Sequence, residues 1–215
     1  MHTQALKRAG TLRLGAVGAA LLLMGSLPLT QTQAAEKEAG GLQSQTVGEM
    51  KLRNIGPAFM SGRVADIAIH PQDPSTWYVG VGSGGVWKTE NAGTTWQPVF
   101  DSQAVYSIGA ITIDPSNPHT LWVGTGENVG GRHISFGDGI YRSQDDGASW
   151  ENLGLKQSEH ISKIVVHPED SNTLWVASQG PLWSEGGERG LFKTSDGGKT
   201  WKAVLTAGPW TGVTD

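Results

Sequence analysis

The chain has 215 residues, a formal charge of −4, no cysteine, 31 glycines, nine tryptophans and only 17% charged residues. The lack of cysteine excludes a disulfide-stapled scaffold and a lipid-anchored lipoprotein, and the acidic balance argues against nucleic acid as a partner. Many glycines and tryptophans with few charges predict numerous short strands and tight turns.

Residues 1–34 read as an export signal. Lys7, Arg8 and Arg13 form a positive n-region, an uncharged apolar stretch runs from Leu14 to Leu29, and Thr32-Gln33-Ala34 offers small residues for cleavage. Glycines and Pro28 interrupt this stretch, which is shorter than the roughly 20 apolar residues of a membrane span. The expectation is Sec-type export to the periplasm or the extracellular medium, with no stable membrane insertion after cleavage. Removing three basic and no acidic residues leaves 13 Lys plus Arg against 20 Asp plus Glu, a formal charge of −7. Residues 35–52 form a polar lead, and residues 53–215 the folded part.

From Val64 onward the chain repeats itself, and a repeat decides the architecture before any motif does. "VADIAIHP" from Val64, "IGAITIDP" from Ile108 and "ISKIVVHP" from Ile161 each run an alternating strand into a proline turn, at Pro71, Pro115 and Pro168. A second strand follows in "TWYVG" at Thr76, "TLWVG" at Thr120 and "TLWVA" at Thr173, and a third in "GVWKT" at Gly85, "GIYRS" at Gly139 and "GLFKT" at Gly190. Next come eight turn-forming residues: "TENAGTTW" (Thr89–Trp96), "SQDDGASW" (Ser143–Trp150) and "TSDGGKTW" (Thr194–Trp201), each tryptophan opening a fourth strand. Four strands in a unit of roughly 45 to 50 residues predict a propeller blade, so the chain holds about three blades, and "TGVTD" at Thr211 aligns with the start of another.

The turn has a physical logic. Asn91, Asp145 or Asp196 accepts backbone N–H bonds across it, and Gly93, Gly147 or Gly198 takes positive φ without steric cost. Trp96, Trp150 or Trp201 then folds back under the turn and clips the third strand to the fourth. His70 and His167 share the repeat position of Asp114, which predicts turn caps rather than metal ligands. "GVGSGG" at Gly80 is followed by a strand, so it is not a dinucleotide loop. Trp77 is offset by one residue from Trp122 and Trp175, which predicts opposite faces.

If the strands are antiparallel, the proline turns and the clip turns share one face, and the remaining connections share the other. Length varies only on that second face, where "VGSG" in the first unit becomes "GTGENVGGRHISFGDG" in the second and "SQGPLWSEGGERG" in the third. Glu127, Asn128, Arg132, His133 and Asp138 come from one insertion, and Trp183, Glu185, Glu188 and Arg189 from the other. Two of these carboxylates as general acid and base, Trp183 as a stacking platform for a sugar, and Arg132 or Arg189 as a carboxylate clamp make up the candidate chemistry. No cofactor or metal is expected.

The three turns resemble the Asp-box, or BNR, repeats of sialidases, sortilin-type receptors and related secreted bacterial propellers, over residues 53–215. "IGPAFMSGRVADIAIHP" leading into "GSGGVWKTENAGTTW" is similar to large exported bacterial proteins labelled as BNR-repeat glycosyl hydrolases or sortilin-like proteins. The resemblance implies an all-β propeller of four-stranded blades, incomplete here and closed by further blades. It leaves two functions open: an exported scaffold binding a glycan or polypeptide, or a glycoside hydrolase of the sialidase or xyloglucanase type with part of its active site outside this sequence. Three departures stand out. Asn91 replaces the usual aspartate, the arginine trio of sialidases is missing although Arg53 lies near the place of an early arginine, and Gly82 and Ser83 stand where xyloglucanases carry an aspartate.

Overall fold

A computed structural model describes residues 62–131 and 133–215. The export signal, the polar lead, Arg53 and Arg132 lie outside the described residues, which form twelve strands and no helix. Blade 1 consists of β1 (Val64–Ile69), β2 (Trp77–Val81), β3 (Gly85–Thr89) and β4 (Gln97–Pro98). Blade 2 follows with β5 (Ile108–Ile113), β6 (Leu121–Thr125), β7 (Ile140–Ser143) and β8 (Glu151–Asn152), and blade 3 with β9 (Ile161–His167), β10 (Asp170–Ser178), β11 (Gly190–Thr194) and β12 (Lys202–Leu205). In each sheet the spatial order is the chain order and every pair is antiparallel, so the fold is an incomplete all-β propeller. The fourth strand starts one residue after each clip tryptophan.

The cores lie between blades rather than within them. Tyr78, Val86 and Phe100 of blade 1 meet Ile111, Ile113, Leu121, Val123 and Tyr141 of blade 2. Trp122, Ile140 and Leu155 of blade 2 meet Ile164, Val166, Leu174, Val176 and Phe192 of blade 3. A single sheet with two apolar faces has no interior of its own, so each face is buried only against a neighbouring layer. The repeat makes this legible: Ile111 and Ile113, like Ile164 and Val166, are buried against the preceding blade, whereas their blade 1 equivalents Ile67 and Ile69 are 50% and 55% exposed. The same alternation settles the tryptophan offset. Trp122 packs toward blade 3, while Trp77 occupies the place of Leu121 on the opposite face of its own sheet.

The clip turns are built as the sequence predicts, with one addition. The Ser143 hydroxyl donates to Asp145 Oδ1 at 2.7 Å and accepts the Gly147 N–H at 2.8 Å, while Asp145 accepts from the Ser149 N–H at 2.8 Å and from the Ser149 hydroxyl at 2.6 Å. Thr194, Asp196, Gly198 and Thr200 repeat the pattern. In blade 1 the Asn91 amide reverses one bond, since its Nδ2 donates to Thr95 Oγ1 at 2.9 Å where an aspartate accepts. Gly93, Gly147 and Gly198 have φ of 87°, 88° and 88°, the left-handed region that a side chain disfavours. The addition concerns the tryptophans. The Trp150 indole donates to the Val99 carbonyl at 2.6 Å and the Trp201 indole to the Leu153 carbonyl at 2.7 Å, both in the preceding blade. They therefore stitch blade to blade, a correction to the expectation of a clip within one sheet. Only Trp96 turns into its own turn, donating to the Gly93 carbonyl at 3.0 Å.

A second stitch was not visible in the sequence. Tyr78, Trp122 and Trp175 each lie under a cation from the paired position of the next strand, Lys88, Arg142 and Lys193, at 5.7, 5.6 and 5.0 Å from the ring centre. The Tyr78 hydroxyl then donates to the Asp146 carbonyl, and Arg142 to the equivalent Gly197 carbonyl one blade later. His70, Asp114 and His167 cap their turns, each accepting backbone N–H bonds from the residues that follow.

These turns make stability depend on acid pH. The hydroxyl of Thr194, then that of Thr200, holds the Asp196 carboxyl down to about 2, and Ser149 lowers Asp145 in the same way. A carboxyl depressed in the folded state stabilises fully above its ordinary value of 3.8 and loses that contribution as pH falls toward about 2. The unfolding midpoint is expected to hold steady down to about pH 4 and then fall. Asp73 and Asp170 are lowered too, by Thr76 and Thr173, so an Asp145→Asn, Asp196→Asn double variant should show a shallower acid fall rather than none. An acid limb identical to the parent's would contradict this origin.

Candidate functional site

The two faces separate as the alternation of strands requires. On one, each clip turn bonds the proline turn of its own blade: Ala92 to Ser75 at 2.9 Å, Asp146 to His119 at 3.1 Å and Gly197 to Asn172 at 2.9 Å. On the other, the inserted loops bond the connections between blades, through Gly126 to Ser107 at 2.7 Å, Gly137 to Glu159 at 2.8 Å and Gln179 to His160 at 2.9 Å. This second, loop-bearing face gathers the residues that sequence singled out.

Three loops meet at the Ser107 hydroxyl. Its oxygen lies 2.8 Å from the Gly82 carbonyl and 2.9 Å from the Ser135 carbonyl, which share its single proton, and it accepts the Glu127 N–H at 3.0 Å. Glu127 is only 2% exposed, and its Oε1 accepts from Arg63 through Nε at 2.8 Å and Nη2 at 2.6 Å. Its other oxygen is buried with no protein partner. The carboxylate lies directly over Gly82, where an added Cβ would fall 2.4 Å from Oε1, so blade 2 fills the space that a side chain at position 82 would need. Arg63 Nη1 lies 2.9 Å from His133 Nε2, and since arginine only donates, that ring nitrogen accepts.

Behind Glu127 sits His160, fully buried. Its Nδ1 lies 2.8 Å from the Glu127 carbonyl and must carry the proton, because a carbonyl cannot donate. Burial pushes its pKa below the ordinary histidine value, the bond to Glu127 opposing this, so the neutral ring presents a bare, buried Nε2. Asp138 accepts from the Tyr141 hydroxyl at 2.8 Å, and burial, the main cause, pushes that phenol up to about 12.

Arg189 is buried as well, and its guanidinium donates to five backbone carbonyls of blade 3 connections. These are Gly186 at 2.7 Å, Gln179 at 3.1 Å, Trp210 at 3.4 Å, Ser184 at 2.6 Å and Pro181. It therefore holds the loop together rather than standing open as a carboxylate clamp. Glu188 accepts the Gln157 N–H at 2.8 Å and ties this loop to the preceding connection.

The structure thus divides the sequence-derived candidates. Glu127, Asp138, Glu188 and Arg189 turn into the frame of the face, and Asn128 points Nδ2 at the Ser162 carbonyl at 3.4 Å. His133, Trp183 and Glu185 are exposed. Sequence reasoning missed Arg63, Ser107 and His160, the residues that position Glu127. Only the repeat carried a signal for them: Arg63 and Ser107 precede the first strands of their blades, and His160 precedes β9 in the same way. Both first-insertion carboxyls offered for acid–base work, Glu127 and Asp138, turn inward, whereas His133, Trp183 and Glu185 are the sequence-derived candidates that face outward.

No family model matches the chain. A xyloglucanase of Hypocrea jecorina (strain QM6a) is 27% identical over 166 residues, covering 71% of this chain and 19% of that protein. A xyloglucanase of a Paenibacillus species is 24% identical over 167 residues, covering 72% of this chain and 16% of that protein. Among solved structures, an ancestral GH74 enzyme superposes with a TM-score of 0.57 at 20% identity over 72% of this chain and 20% of its own, which shows the shared fold. The chain spans about a fifth of the length of the curated relatives it matches.

Proposed function

We propose that the protein is an exported, glycan-acting propeller that hydrolyses a polysaccharide of the xyloglucan kind, and that the loop face described above binds its substrate. One observation carries this reading: the relation to xyloglucanases runs through about seven-tenths of the chain. Further blades of the same design complete the ring and cover the apolar face of blade 1 that Ile67 and Ile69 present. The clip turns are Asp-box turns in this reading, and residues 1–34 direct export.

Hydrolysis of a glycosidic bond needs two carboxyl groups, at about 5 Å for retention or about 6.5–9.5 Å for inversion. Glu127 and Asp138 serve as framework, so in this reading the pair is drawn from the other carboxyls of the loop face, the exposed Glu185 among them, or from carboxyls outside the described residues. The inward turn of Glu127 and Asp138 also favours a second reading, in which the propeller binds a glycan or polypeptide without cleaving it, as a sortilin-like scaffold would. Release of reducing ends from soluble xyloglucan by the full exported protein tests the first reading. Release is expected; binding of the polymer with no release would establish the second.

A further inference from the structure

The insertion of blade 2 is pinned near both of its ends. The Ser107 hydroxyl accepts the Glu127 N–H at 3.0 Å and lies 2.9 Å from the Ser135 carbonyl, so one group of the β4–β5 connection holds both. Between these pins, Asn128 and His133 reach other parts of the fold. Asn128 Nδ2 lies 3.4 Å from the Ser162 carbonyl of blade 3, near the limit for a hydrogen bond. His133 Nε2 lies 2.9 Å from Nη1 of Arg63, the residue that precedes β1, and this is the firmer of the two contacts.

Both partners are held in place for it. The imidazole lies against Gly131, where an added Cβ would fall 2.8 Å from Cε1 and 3.1 Å from Nδ1, so a side chain there would displace the ring. Arg63 is fixed through Nε and Nη2 on the buried Glu127 carboxylate, which leaves Nη1 to reach His133. A guanidinium has no lone pair to offer, so the bond exists only while Nε2 is bare and the ring proton sits on Nδ1. Protonation of the ring ends it: a donor then faces a donor, and two positive charges stand side by side.

The surrounding charges do not restore the contact. Arg63 faces the ring from blade 1, Arg132 precedes it in the chain, and the Glu127 carboxylate is already engaged on the Nε–Nη2 edge of the guanidinium. His160 meets the Glu127 backbone carbonyl. His119 on the opposite face is the contrasting case, since it lies 2.8 Å from the Asp146 carboxylate, a contact that gaining a proton strengthens. Histidine is the side chain that ordinarily changes charge between about pH 5 and 8. We propose that the Arg63–His133 contact is a proton-operated clasp: the neutral ring ties the blade 2 insertion to blade 1, and protonation on Nε2 releases it and loosens the insertion. The clasp is exposed, so its release leaves the fold intact. It stands whichever ligand the loop face takes.

The test is hydrogen exchange of the segment between Glu127 and Ser135 in the full exported protein and its His133→Gln and His133→Ala variants. Proteins are compared with one another at about pH 7.5 and again at about pH 5.5, so that intrinsic exchange rates cancel. Glutamine offers Arg63 an amide oxygen that takes up no proton in this range, and alanine offers nothing. At the higher pH the parent and the glutamine variant are expected to match, with the alanine variant exchanging about fivefold faster, as the loss of one modest hydrogen bond implies. At the lower pH the parent is expected to join the alanine variant while the glutamine variant stays protected, with the three unfolding midpoints alike. A parent that keeps its lead over the alanine variant at the lower pH would overturn the clasp. An alanine variant as protected as the parent at the higher pH would also overturn it, because the contact would then hold nothing. A response carried by another group, such as His160, would loosen all three proteins and leave the fivefold gap open, and the clasp would fall.

Discussion

Trp150→Ala is expected to lower the unfolding free energy by about 3 kcal/mol, the low end for truncating a large aromatic, because Trp150 is part-buried. Two losses combine. The Phe100 ring, packed edge-on with centres 5.1 Å apart, loses its neighbour, and the Val99 carbonyl loses the indole N–H at 2.6 Å. Both partners belong to blade 1, so the damage falls on the seam between blades. Trp96→Ala, by contrast, removes an indole bonded to the Gly93 carbonyl of its own turn and is expected to cost less than half as much. Denaturant unfolding of the two variants checks this. Equal costs would mean that the tryptophan acts within one sheet, as the sequence alone implied.

Gly109→Ala is expected to be at least as damaging, by about 3 kcal/mol or more through forced overpacking. A Cβ at this position in β5 would lie 2.0 Å from the Ile161 carbonyl oxygen and 2.3 Å from that of Gly126. Both obstacles are backbone, so no rotamer change relieves the clash. The repeat-equivalent positions carry Ala65 and Ser162, which places the constraint in the surroundings of blade 2 and not in the blade design. There the inserted loop and β9 close in on the inner strand. Gly130→Ala is the control: a Cβ there meets nothing within 4 Å, and its effect should stay within about 0.5 kcal/mol. Comparable losses in the two variants would contradict the packing described for blade 2.

Much of the fold was legible because local chemistry repeats at fixed spacing. Alternating apolar residues, proline turns and the Asp–Gly–Trp turns specify four strands per unit, and the capping of His70, Asp114 and His167 follows from one shared position. What was not legible depends on neighbours distant in the chain. The Trp150 indole reaches Val99, the Glu127 carboxylate reaches Arg63 and lies over Gly82, and Arg142 reaches Gly197. No periodicity encodes such contacts. The candidate site was legible as a face, since the insertions had to share a side, but not residue by residue. Irregular loops have no fixed side-chain period, so Glu127 and Arg189, whose charges read as surface groups, turned out to be buried in the frame.

The measurement that bears most directly on this division of labour pairs Trp150→Ala with Trp183→Ala in the full exported protein and reads both unfolding free energy and affinity for soluble xyloglucan. The account predicts a crossed result: Trp150→Ala loses stability and, where still folded, keeps its affinity, whereas Trp183→Ala keeps its stability and loses affinity. Variants whose stability and affinity fall together, or in the reverse pairing, would contradict the separation of a structural face from a recognition face.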